Sequence, residues 1–141
     1  MTNSLFSEAV LIDASAAIAL ADPKDQFHKE ATAFFNQSDV VWVILNITTH
    51  EVYKIIRYRI GFNKAISIYN SLIRGGKVIL PFTEGDEIEA VKILTKYSEH
   101  KLSFYDALCF AVMKKTGIYR VFAFDKHFFL LGYEIYPGHY R

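Results

Sequence analysis

Short apolar runs rich in β-branched residues alternate with helix-length segments from one end of this chain to the other, and that alternation leaves few folds open. Ala9-Val10-Leu11-Ile12 reads as a buried strand, followed by an Ala-rich helix start from Ala14 to Leu20. Asp22-Pro23 marks a break, with Asp22 a candidate cap and Pro23 at a first helical position, ahead of a helix carrying His28 to Phe35. Val40-Val41-Trp42-Val43-Ile44 is a second strand. Thr48 or Thr49 is placed to cap the next helix, with Glu51 in its first turn and Val52, Ile55 and Ile56 along it. Gly61 interrupts that helix, and Phe62 to Ile73 forms another, ended by Gly75-Gly76. Lys77 to Leu80 is a third strand stopped by Pro81. Thr83 and Ser103 each open a helix, the second ended by Gly117. Val121 to Phe124 is the fourth strand and Tyr133 to Tyr136 a candidate fifth. Such a pattern implies βαβ units: a single-domain α/β/α sandwich over residues 1–141, with a mostly parallel central sheet of four to five strands.

Against this apolar background certain carboxylates stand out. Asp13 ends Val10-Leu11-Ile12, Asp125 ends Val121-Phe122-Ala123-Phe124, and Asp106 interrupts a segment that is apolar on nearly every helical face through Met113. An ionised carboxylate costs several kcal/mol to bury unless its charge is compensated. Three of them in a chain of 141 residues suggest a shared cation. Hard oxygen donors suit Mg²⁺ or Mn²⁺. In a parallel sheet, ligands bind beyond the carboxyl ends of the strands, where Asp13 and Asp125 both stand. Each acid also admits a purely structural role. Asp13 can cap the following helix, Asp106 lies three residues after the cap Ser103, Glu51 can sit on a solvated face, and Asp125 can serve a turn.

Other chemistries find less support. Five histidines are scattered without a His-x-x-x-His pair, and one cysteine cannot complete a zinc set. His127 reads as a structural or surface residue beside the acids. Neither a phosphate-binding loop nor a dinucleotide fingerprint is present, and Ser15 lacks the glycine elbow of a hydrolase nucleophile. The net charge of +1 neither announces nor excludes a nucleic-acid partner. The 52% hydrophobic content indicates a packed globular chain, yet no apolar run approaches the ~20 residues that cross a bilayer. Met1-Thr2-Asn3-Ser4 lacks the basic start and apolar core of a signal peptide. With Cys109 alone in an apolar helix, these features fit a cytoplasmic protein without a membrane association.

Four segments, Leu11-Ile12-Asp13-Ala14-Ser15-Ala16, Thr48-Thr49-His50-Glu51-Val52, Leu102-Ser103-Phe104-Tyr105-Asp106-Ala107-Leu108 and Phe124-Asp125-Lys126-His127-Phe128, resemble the PIN-domain nucleases, and within them the VapC-like toxins. The resemblance spans almost the whole chain in the family's order. It implies a Mg²⁺- or Mn²⁺-dependent endoribonuclease on a parallel α/β/α sandwich, with Asp13, Glu51, Asp106 and Asp125 matching its acidic site. On that basis Asp13, Asp106 and Asp125 lie near the principal metal, and Glu51 supports them or a second ion. Ser15 is placed to hydrogen-bond an acid or a bound water. Arg57 and Lys126 are candidates for RNA phosphates. Tyr53, Tyr58 and Phe62 are mostly core aromatics by type, or else part of a partner interface. The resemblance further implies a toxin held by a cognate antitoxin, and a homodimer. The alternatives are a catalytically weak PIN module that binds RNA or protein, a free-standing RNA-processing nuclease, and an acid-pocket phosphohydrolase. The last is disfavoured because Ser15 stands where aspartyl phosphatases need a second Asp.

Overall fold

A computed structural model describes residues 8–139 of the chain. The Met1 to Ser4 segment, from which the absence of a signal peptide was inferred, lies outside the described residues. Five strands form one sheet in the order β3-β2-β1-β4-β5, every neighbouring pair parallel. They are β1 (Ala9–Ile12), β2 (Val41–Leu45), β3 (Val78–Leu80), β4 (Arg120–Phe122) and β5 (Glu134–Tyr136). The central strand β1 is buried at every position, and its register sets Leu11 opposite both Val43 and Val121. Burial on two faces is what a continuous apolar strand without polar alternation requires.

The two faces are covered by different helices. Val10, Ile12, Ile44 and Phe122 face α1 (Ala14–Ala21), α2 (His28–Gln37), α3 (Asn46–Arg59) and α4 (Phe62–Arg74). Leu11, Val43 and Val121 face α5 (Glu84–Lys96) and α6 (Phe104–Thr116). Phe122 packs among Phe34, Trp42 and Phe124, with ring centroids 5.0 to 6.1 Å away. Thr83 and Ser103 open α5 and α6 with reciprocal capping boxes, to Asp86 and Asp106 respectively. Gly61, at φ 140°, lets the chain turn directly from α3 into α4, and Gly117, at φ 80°, closes α6 in the left-handed conformation that glycine adopts without strain. Among the described residues no helix is long and apolar enough to cross a membrane.

Three local expectations need correction. Asp22 and Pro23 do not start a helix: Asp22 is the C-cap of α1 and its carboxylate accepts from the Lys24 N–H, so Pro23 lies in a turn, and α2 begins only at His28. Neither Thr48 nor Thr49 caps α3. That helix starts at Asn46, straight off β2, with buried Leu45 in the cap position, and the Thr49 hydroxyl donates instead to the Asn46 carbonyl at 2.6 Å. Glu51 therefore falls beyond the first turn. Finally, β4 ends at Phe122 and not at Phe124. The Ala123 N–H still reaches Tyr136 across to β5, but the Phe124 N–H is taken by the Ser15 hydroxyl, which ends the ladder.

Phe122→Ala is expected to lower unfolding free energy by roughly 3–5 kcal/mol, because a fully buried ring is replaced by a cavity between strand and aromatic cluster. Urea denaturation followed by tryptophan fluorescence at Trp42 measures it.

Candidate functional site

Asp13 leaves β1 with extended backbone (φ −81°, ψ 158°) and caps α1. Its Oδ2 accepts the Ser15 N–H at 3.1 Å and the Ser15 hydroxyl at 2.6 Å, and that hydroxyl accepts the Phe124 N–H at 2.9 Å. The cap reading of Asp13 and its place among the acids are thus both realised by one side chain. Asp106 is likewise doubly used. Its Oδ2 takes the Ser103 N–H at 3.3 Å while its own N–H meets the Ser103 hydroxyl at 3.0 Å. Asp125 caps the 3₁₀ turn Lys126–Leu131, accepting the His127 N–H at 2.9 Å.

These acids, together with Glu51 from α3, line one open cleft of about 390 Å³ at the carboxyl ends of the strands, which Ser15 and Arg59 also line. Asp13 is only 5% exposed. Burial first, and then the negative charge of Asp106, push its carboxyl up to about 7, against the stabilising bonds from Ser15. Glu51 is also pushed up to about 7, by burial and then by Asp13 and Asp106, with Lys54 opposing. Burial and the charge of Asp125 raise Asp106, against its bonds to Ser103 and the nearby His127. Crowded like charges in a partly dry cleft leave the metal-free site short of positive charge.

His127, assigned from sequence to structure or surface, belongs to this group. Its Nδ1 lies 3.1 Å from Asp125 Oδ1 and 3.7 Å from Asp106 Oδ2. The shorter contact has ion-pair distance, yet Nδ1 is buried and makes no hydrogen bond, while that oxygen accepts the residue's own backbone N–H. The buried nitrogen thus faces two carboxylates, a position that a cation shared with them would satisfy. One donor atom from each of Asp106, Asp125 and His127 lies within 4.8 Å of the others, a spacing that one metal ion can share. The donor set, two hard oxygens and an imidazole nitrogen, fits Mg²⁺ or, better, Mn²⁺. The signal available in the sequence was the Asp-x-His spacing on a tight turn, which brings both side chains to one side.

The basic candidates divide differently. Neither Arg57 nor Lys126 lines the cleft, and the Arg57 guanidinium lies 5.8 Å above the Phe62 ring. Arg59 lines it instead, with Nη1 3.1 Å from both Asp22 and Asp25. Helical periodicity disfavours Arg57, which at 3.6 residues per turn falls about 120° round α3 from Glu51, but it does not single out Arg59, which falls about 80° round.

A PIN-domain family model matches residues 10–132. The chain is 30% identical over 131 residues to the 23S rRNA-specific endonuclease VapC20 of Mycobacterium tuberculosis, an alignment covering 91% of this chain and 98% of that protein. The crystal structure of Mycobacterium tuberculosis VapC20, a sarcin-ricin loop cleaving toxin, superposes with a TM-score of 0.83 at 27% identity, covering 88% of this chain and 95% of that one. A toxin-antitoxin complex from Klebsiella pneumoniae shares the fold, with a TM-score of 0.67 and 15% identity over 94% of this chain and 99% of its own.

The raised carboxyls make a prediction for the metal-free protein. An acid whose folded value lies above its unfolded one binds its proton more tightly when folded. Its stabilising effect is complete below about pH 4 and is lost as pH rises through about 7. Asp13→Asn keeps an oxygen for Ser15 and removes the titration. In EDTA, the variant is therefore expected to gain on the wild type as pH rises from 4 to 7 and to be more stable above that by on the order of 1–3 kcal/mol. Paired melting curves across pH measure the difference.

Proposed function

The chain belongs to the PIN-domain family, and from that membership we propose that it is a single-domain, Mg²⁺- or Mn²⁺-dependent endoribonuclease, the toxin of a toxin–antitoxin pair, acting on structured ribosomal RNA. One observation carries the proposal: four carboxylates from three separate segments and a strand end converge on one cleft, with a buried imidazole nitrogen held between two of them and hydrogen-bonded to neither. Likeness to VapC20 in both sequence and fold supports the rRNA loop as substrate class. The toxin–antitoxin complex among its fold relatives supports a cognate antitoxin, and a homodimer goes with the same reading.

Asp106, Asp125 and His127 would hold the ion, with Asp13 and Glu51 across the cleft completing its negative surroundings. A bound divalent ion would neutralise charge on the scissile phosphate and make a bound water acidic enough to attack at neutral pH. Ser15 fixes which way the Asp13 carboxylate points, because its hydroxyl is itself anchored to the Phe124 backbone. Ser103 does the same for Asp106 through the capping box. In the metal-free cleft Asp13 and Glu51 keep their protons up to about pH 7, so cation binding releases them, and metal affinity rises as pH increases from 6 to 8. Without a cation the cleft would repel an RNA backbone.

A sarcin-ricin-type stem-loop RNA incubated with Mg²⁺, Mn²⁺ or EDTA tests the assignment, and cleavage that persists in EDTA overturns it. Asp106→Asn, Asp125→Asn and His127→Ala are each expected to lower kcat/KM at least about 100-fold, roughly 2.7 kcal/mol of transition-state stabilisation. Glu51→Gln is expected to cost about 10–100-fold, as for groups that tune a metal site from one step away, and to be partly restored by raising Mn²⁺. Single-turnover kinetics on each variant separate these outcomes.

A further inference from the structure

Between Glu51 and Glu84 the chain carries Lys54, Arg57, Arg59, Lys64, Arg74 and Lys77 and no acid at all. This stretch spans the second half of α3, whose Arg59 lines the acidic cleft together with Glu51, and all of α4. On α3, Glu51, Lys54 and Tyr58 follow one another at the i, i+3, i+7 spacing that lines a single helical face. Glu51 lines the acidic cleft. Roughly 10 Å further along the axis, at 1.5 Å per residue, Tyr58 projects with 93% of its surface exposed. A shallow depression of about 310 Å³ lies there, lined by Lys54, Ile55, Tyr58 and Arg59, and Arg59 lines the acidic cleft as well. The two hollows therefore share a wall.

Cations and rings interleave along this edge. Lys54 Nζ lies 5.6 Å from the centroid of Tyr105, the residue preceding Asp106, and Arg57 lies over the half-exposed Phe62. Packing does not account for Tyr58, since a ring left almost wholly in water stabilises nothing in the folded chain. We infer that Lys54, Tyr58 and Arg59 form a subsite for an unpaired RNA nucleotide next to the scissile bond, with its base on the Tyr58 ring and its phosphates against the two cations. Exposed aromatics set between cations along a groove are the physical signature of single-strand binding, because every base offers a π-face and every linkage a negative charge. The stretch itself contributes no acid; Asp22 and Asp25 reach Arg59 from outside it, so Lys54 supplies the charge that favours a polyanion over a protein partner of mixed charge. Arg59 keeps Nη1 on Asp22 and Asp25, and a guanidinium has further N–H donors with which to meet a phosphate. The subsite rests on the nuclease assignment for its role in cleavage but not for RNA binding itself.

Both are separable by experiment. In an Asp106→Asn background with Mg²⁺ present, fluorescence anisotropy is read with a labelled single-stranded RNA oligonucleotide and with its blunt duplex. Tyr58→Ala is expected to weaken the single strand about 5- to 100-fold, the range for loss of one base stack, and to leave the duplex unchanged. Tyr58→Phe, which keeps the ring, is expected to bind like the parent. Lys54→Gln is expected to reduce the slope of log affinity against log salt by about 0.7, one phosphate's worth. With Asp106 restored, Tyr58→Ala is expected to raise KM rather than lower kcat. Unchanged single-strand affinity in Tyr58→Ala overturns the subsite, and so does a loss confined to a protein partner or an equal loss in Tyr58→Phe. If the Tyr58-dependent binding is found but the wild type cleaves nothing, the subsite stands and the nuclease assignment falls. Absence of RNA binding by the parent removes both.

Discussion

The Ser15 hydroxyl, donating to the Asp13 carboxylate and accepting the Phe124 backbone N–H, ties the carboxyl ends of two neighbouring strands to the first turn of α1. It ends β4 at Phe122, starts the turn that carries Asp125 and His127 inward, and fixes the orientation of the most buried acid in the cleft. A parallel sheet supplies the setting for this, because every strand delivers its carboxyl end to the same edge. Residues more than a hundred positions apart thereby meet across one hydroxyl group.

Economy of another kind shows in the acids themselves. Asp13, Asp106 and Asp125 each satisfy backbone N–H groups at the start of a helix or turn while presenting carboxylate to the cleft. The cap bonds offset part of the cost of gathering like charges, since backbone donors favour the ionised form. They do not offset it fully: burial first, and then the charges of the neighbouring carboxylates, still raise Asp13, Glu51 and Asp106. Under the proposed metal dependence, an incoming cation would find these carboxylates already held in place and would relieve their mutual repulsion.

Charge is also partitioned along α3. Its early turns bring Glu51 to the acids, while among its later charged residues there are only cations, set beside the almost wholly exposed Tyr58. A polyanionic substrate would thus meet attraction at the rim before it reaches the negatively charged centre. That ordering suits a site whose carboxylates alone would turn such a substrate away.

Much of this was legible in the sequence. Continuous apolar runs identified the strands, Thr83 and Ser103 announced their helices, and acids placed against apolar segments drew attention to Asp13, Asp106 and Asp125. Local chemistry decides such features, because caps and periodicity act over a few residues. The helix starts at Asn46 and His28 were not legible, since β2 runs directly into a helix without a polar cap and the acids at 22 and 25 serve a turn and Arg59. Tertiary structure alone decided that His127 stands between two carboxylates, that Arg59 rather than Arg57 reaches the cleft, and that Ser15 meets Phe124. These depend on distances between elements and on burial at the sheet edge, neither of which a pattern along one segment can specify.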